Sequence, residues 1–69
     1  MPFVTIRLIE KALGDGADAK VEEIGRRVTE VICDVSGLPP EAVWVVCENV
    51  APDRWQVGGK TVAAIWQDS

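Results

Sequence analysis

Apolar positions alternate along the first stretch of the chain, recur at helical spacing along the second, and alternate again in a third. Residues 3–9 (FVTIRLI) are an apolar, β-branched run of strand length. Val4, Ile6 and Leu8 share one face; Phe3, Thr5, Arg7 and Ile9 share the other. The first face suits a core. The second sets a cation among apolar neighbours, which fits an interface or a site better than open water. Residues 11–16 (KALGDG) read as a loop, because two glycines and an aspartate break regular structure, and Asp15 or Asp18 can cap a helix that follows. That helix is predicted over residues 17–36: Val21, Ile24, Val28, Val31, Ile32 and Val35 recur at three- and four-residue spacing. Glu22, Glu23, Arg26, Arg27, Glu30 and Asp34 fall mostly on the opposite, solvated side, with i,i+4 pairs Glu22–Arg26 and Glu23–Arg27. Gly37 suits the position just past the helix, and Pro39-Pro40 stops its continuation. Residues 42–48 (AVWVVCE) read as a second strand, with Val43, Val45 and Cys47 on one side and Trp44, Val46 and Glu48 on the other. Residues 49–54 are turn-rich. Residues 55–60 read as a short strand or hairpin ended by Gly58-Gly59, and residues 61–66 as a brief helical turn or an extended arm.

Strand, helix, strand in so short a span is a β-α-β unit, whose two long strands are expected to be parallel with a right-handed crossover. The fold class is α/β (α+β by some schemes): a single β-α-β unit plus a short C-terminal hairpin. The helix covers one sheet face. A two-stranded sheet with its other face bare does not stand alone in water, so the open face predicts assembly with another copy. No linker, repeat or low-complexity segment interrupts the chain, which reads as one domain over residues 1–69.

Composition sharpens this. A chain of 69 residues buries only roughly 60% of its unfolded surface, so small scaffolds lean on disulfides, metals or oligomerisation. Cys33 and Cys47 each sit in an apolar run and read as small buried hydrophobes, and with no CxxC and no histidine the zinc-ligand spacings are missing. Oligomerisation is left, and 48% hydrophobic residues agree with it. The missing histidine also removes Ser-His and Cys-His nucleophile chemistry. A net charge of −4 argues against a nucleic-acid partner. No run approaches the length of a membrane span and no signal peptide opens the chain, so a cytoplasmic protein without a membrane partner is expected. No cofactor or metal is called for.

The base of any proton chemistry must then be a carboxylate, a lysine or the terminal amine. Pro2 stands directly behind Met1, and initiator methionine is normally trimmed before so small a residue. Trimming would leave a secondary amine at the head of the first strand, fixed in space. An α-amino group titrates near 7.7–8.0, and apolar surroundings or a nearby cation lower that value, so such an amine can be neutral and act as a general base.

Pro2, the β-α-β pattern, and the stretch from Glu48 to Gly59 (ENVAPDRWQVGG) together resemble the tautomerase superfamily, most closely its short-chain 4-oxalocrotonate tautomerase branch. The resemblance runs from Pro2 to about Lys60. It implies hexamers, commonly trimers of dimers, with the N-terminal proline in a pocket between subunits. It also implies proton movement on an enol or 2-oxo acid by the proline nitrogen. In the best-known members two arginines bind the substrate's carboxylate and carbonyl, and an aromatic residue lowers the polarity of the pocket. Carried onto this chain, Pro2 matches the base and Trp55 the aromatic. The arginine expected after the first strand has no counterpart in Lys11–Gly16, which is longer than usual, and the second falls on Trp44. That departure puts a diacid substrate in doubt. Arg7, Arg54 and Lys11 are the cations able to bind substrate instead, and Glu48 is a candidate water activator. The resemblance therefore supports an enol or 2-oxo acid isomerase. It leaves open a subunit of a heterohexamer with a homologous chain, of tautomerase, dehalogenase or decarboxylase type, and a non-catalytic assembly module.

Overall fold

The structure is a computed structural model and describes residues 1–67. Strand β1 (Phe3–Leu8) is followed by a short 3-10 turn (Glu10–Leu13), helix α1 (Ala17–Ser36), a second 3-10 turn (Pro40–Ala42) and strand β2 (Trp44–Asn49). A third 3-10 turn (Pro52–Arg54) leads to a hairpin of β3 (Gln56–Val57) and β4 (Lys60–Thr61), and helix α2 (Val62–Gln67) closes the described chain. β1 and β2 pair in parallel, Phe3 opposite Trp44 through Leu8 opposite Asn49. β3 and β4 pair antiparallel.

α1 spans the predicted residues, but its start is built differently. Neither Asp15 nor Asp18 caps it: Gly16 is the N-cap, in the left-handed region at φ 74°, with no side-chain bond. A residue in that conformation does not aim a side chain at the free N–H groups, so Asp18 in the first turn acts only through its charge on the helix dipole. The far end follows expectation: Gly37, at φ 77°, donates its N–H to the Cys33 carbonyl at 2.9 Å. Along the polar face Arg26 pairs with Glu23 and Glu30 rather than with Glu22, and Arg27 reaches Glu23 at 2.8 Å.

Three further boundaries differ from the reading of the sequence. Ile9 lies outside β1 and is buried, because the chain turns there and Ile9 accepts the Ala12 N–H at 2.9 Å. β2 begins at Trp44, since residues 40–42 are taken by the 3-10 turn that Pro40 initiates. The Gly58-Gly59 pair forms the tip of the β3–β4 hairpin instead of ending it; φ values of 61° and 85° are those of a two-residue turn with both residues left-handed. Of the two readings for residues 61–66, the helical one holds: Thr61 Oγ1 accepts the Ala64 N–H at 3.1 Å at the start of α2. Residues 68–69 of the predicted domain lie outside the described residues.

The interior is thin. Ile9, Val43 and Val62 are the buried apolar residues, and no residue of α1 is buried. Cys33 and Cys47 are free thiols and half-buried rather than core. α1, at about 30 Å for 20 residues, outruns strands of about 20 Å, so Val35 on its apolar stripe is 85% exposed. The accessible surface of 5111 Å² exceeds the roughly 4,200 Å² expected of a folded monomer of this mass. The radius of gyration, 15.0 Å, likewise exceeds the about 11 Å of a compact domain of this length. No helix among the described residues is long and apolar enough to cross a membrane.

Candidate functional site

The ladder between β1 and β2 fixes the chemistry-bearing residues at its two ends. At one end the Trp44 N–H donates to the Pro2 carbonyl at 3.1 Å, which extends the pairing one residue beyond β1 and holds Pro2 in place. Pro2 is half-buried. Beside it Phe3 and Trp44 stand opposite each other on the open face, 61% and 56% exposed. This aromatic pair was not foreseen as a unit. Each residue was assigned to the side away from the core, but their juxtaposition depends on strand register, which hydrophobic alternation does not encode.

At the other end Arg7 and Glu48 are cross-strand partners, and Arg7 Nε donates to Glu48 Oε2 at 3.1 Å. Two bonds close this end of the ladder. The Val50 N–H donates to the Leu8 carbonyl at 2.8 Å, and the Glu10 N–H donates to Asn49 Oδ1 at 3.0 Å. The chain then turns over Pro52–Arg54, with the Arg54 N–H donating to the Ala51 carbonyl at 2.9 Å. Trp55 follows, half-buried, its carbonyl accepting the Val62 N–H at 2.8 Å. The result is a cleft of about 520 Å³ lined by Arg7, Val50, Arg54, Trp55 and Gln56. Three of the predicted site residues meet here. Val50 and Gln56 carried no signal of their own in the sequence.

Two other predicted residues lie apart. Lys11 borders a different cleft, with Pro52, Ala63, Trp66 and Gln67. Pro2 precedes Arg7 by five residues of extended chain, about 16 Å at the usual rise per residue, so a single chain does not bring the amine to the arginine cleft. A larger groove, about 580 Å³, runs between α1 and β2 past Gly25, Thr29, Cys33, Val43 and Val45. Its arginine and one of its acids, Arg26 and Glu30, are paired to each other, and the Cys33 thiol and Asp34 carboxylate also line it. On the outer face of α1, hydrogen bonds from Arg26 and then Arg27 hold the Glu23 carboxyl at about 2, well below its ordinary 4.5. No group of three or more histidine, cysteine, aspartate or glutamate side chains is poised for a metal among the described residues.

Chemically, one end sets Pro2 at the head of the sheet next to the Phe3–Trp44 pair, and the other is a cationic cleft with an indole wall. The cationic cleft suits an organic anion.

The family model described as Tautomerase enzyme matches residues 2–65. A probable tautomerase of Dickeya dadantii is 33% identical over 63 residues, covering 90% of this chain and 88% of that protein. Among solved structures, a 4-oxalocrotonate tautomerase homologue of the tomaymycin biosynthetic pathway is 30% identical and superposes with a TM-score of 0.84, covering 96% of this chain and 95% of that one. The DmpI structure from Helicobacter pylori, 19% identical, has a TM-score of 0.85 over 99% of this chain and 100% of that one, a likeness of fold.

Proposed function

Because the chain belongs to the tautomerase enzyme family, we propose that it is an isomerase that moves a proton on an enol or 2-oxo acid, with the nitrogen of Pro2 as the base once Met1 is removed. The observation that carries this reading is the bond from the Trp44 N–H to the Pro2 carbonyl, which makes Pro2 the first fixed residue of the sheet. An amine there has a defined position, and the neighbouring Phe3 and Trp44 rings favour its neutral form. The neutral nitrogen takes the enol hydroxyl proton while the electrons of the O–H bond form the carbonyl. The carbon end of the enol then takes a proton back from the same nitrogen. Proton count and charge are unchanged over the cycle.

The carboxylate of the acid belongs in the arginine cleft, since Arg54 and Arg7 offer planar donors and Trp55 an apolar wall. On this reading the 69 residues form one domain, and the site closes only in an assembly in which Pro2 of one copy faces the cleft of another. The bare sheet face and the excess surface support assembly, and the family resemblance makes a hexamer built from dimers the proposed form. Lys11 borders a separate cleft and is not assigned to the carboxylate on this reading. A second reading, a heterohexamer with a homologous chain, is favoured by Trp44 at the position where an arginine was expected.

The test compares the protein with its Pro2→Ala variant on phenylenolpyruvate and 2-hydroxymuconate, after intact mass has shown Met1 to be removed. Loss of general-base catalysis by about a hundredfold or more is expected on replacing Pro2. Full activity in Pro2→Ala would sink the assignment. Inactivity of the trimmed wild-type protein alone, with turnover restored by a homologous chain, would establish the heterohexamer.

A further inference from the structure

The Arg7–Glu48 end of the ladder is unusual in its charge. Arg7 and Arg54 both line the cleft, and neither Val50, Trp55 nor Gln56 carries a charge. Arg7 is not free: its Nε is bonded to Glu48 across the strands at 3.1 Å, with the two side chains 69% and 48% exposed. Arg54 has no ion-pair partner among the described residues. We propose that Glu48 sets the cleft to a single net positive charge, so that it accepts one carboxylate and disfavours a substrate carrying two. This rests on the reading above and narrows its substrate class to monocarboxylic enols and 2-oxo acids.

The hydrogen-bond arithmetic supports the division of labour. A guanidinium has five N–H donors, and one of Arg7's is committed to Glu48. The remaining donors, with those of Arg54, suffice to hold one carboxylate. A second carboxylate would find no third cation lining the cleft, and would meet the Glu48 oxygens beside Arg7. At the Pro2 end the exposed groups are the rings of Phe3 and Trp44, which suit an apolar or aromatic substituent rather than an anion. The Glu48 oxygen that accepts the Arg7 bond is engaged there rather than on a water. The proposal gives Glu48 a charge-setting role beside Arg7.

The experiment measures binding of two unreactive probes, phenylacetate and adipate, to the assembled protein by calorimetry. The wild type is expected to bind phenylacetate more tightly than adipate. Glu48→Gln is expected to shift that ratio toward adipate by about fivefold, the size of an exposed charge pair, and Glu48→Asp to restore it. Arg54→Ala is expected to weaken phenylacetate by about tenfold or more. The Arg7–Glu48 pair is exposed, so its loss leaves folding nearly unchanged. An unchanged ratio in Glu48→Gln, or unchanged phenylacetate binding in Arg54→Ala, would overturn the proposal. The same titrations on Pro2→Ala keep the two questions apart. Turnover surviving in Pro2→Ala defeats the base assignment, whereas the binding ratios alone decide the role of Glu48.

Discussion

Glu23 accepts from two arginines at once, and its acidity records it. Hydrogen bonds from Arg26 and then Arg27 stabilise the carboxylate, holding it at about 2 instead of 4.5. A folded value depressed below the unfolded one means that the contribution to stability is complete above pH 4.5 and is lost as the pH falls toward 2. The carboxylate is solvent-accessible, so water and salt screen the interaction and its contribution is small. A carboxyl-carbon NMR titration at low salt is expected to find Glu23 titrating last among the glutamates of α1. Replacing Arg26 by Ala should return it most of the way to the ordinary range. A midpoint near 4.5 in the wild type would contradict the paired geometry. Pairing choice was only partly legible beforehand: i,i+4 spacing identified Glu23–Arg27, but Arg26 could reach several acids, and rotamers decide among them.

At the scale of elements, the hairpin after the third turn depends on two residues with no side chains. Gly58 and Gly59 adopt left-handed φ of 61° and 85°, and an added Cβ at either would meet nothing within 4 Å. The cost of replacing Gly59 by Ala is therefore purely one of backbone conformation, about 1–2 kcal/mol. Gly58→Asn, a residue that tolerates this conformation, should cost much less. Denaturant midpoints of the two variants check this, and equal losses would show that space, not backbone, is limiting. α1 was readable from its residues alone because 20 positions repeat one period, and the β-α-β order followed. The hairpin was half-readable: a diglycine marks a turn, but strands of two residues carry no alternation, so whether it ended or centred the hairpin was not decidable. The same limit applied to the arginine cleft. Arg7, Arg54 and Trp55 were each picked out singly, whereas their meeting depends on how the Pro52–Arg54 turn folds back beside β1.

For the molecule as a whole, the thin interior and extended shape go together. With no residue of α1 buried and one sheet face bare, much apolar surface lies open on the single chain, and in the proposed assembly the protomer's stability would depend on its concentration. The sheet also acts as a ruler. It separates Pro2 from the arginine cleft by about 16 Å, so in the proposed assembly each copy would contribute its two ends to different sites. Genetic logic follows from that spacing. Pro2→Ala and Arg54→Ala, each crippled alone, damage opposite halves. Unfolded together in equal amounts and reassembled, they should regain activity, with about a quarter of the sites drawing an intact amine from one variant and an intact cleft from the other. Complementation of this kind is impossible for a site contained within one chain, so its appearance or failure in a simple mixing assay reads the architecture directly from turnover.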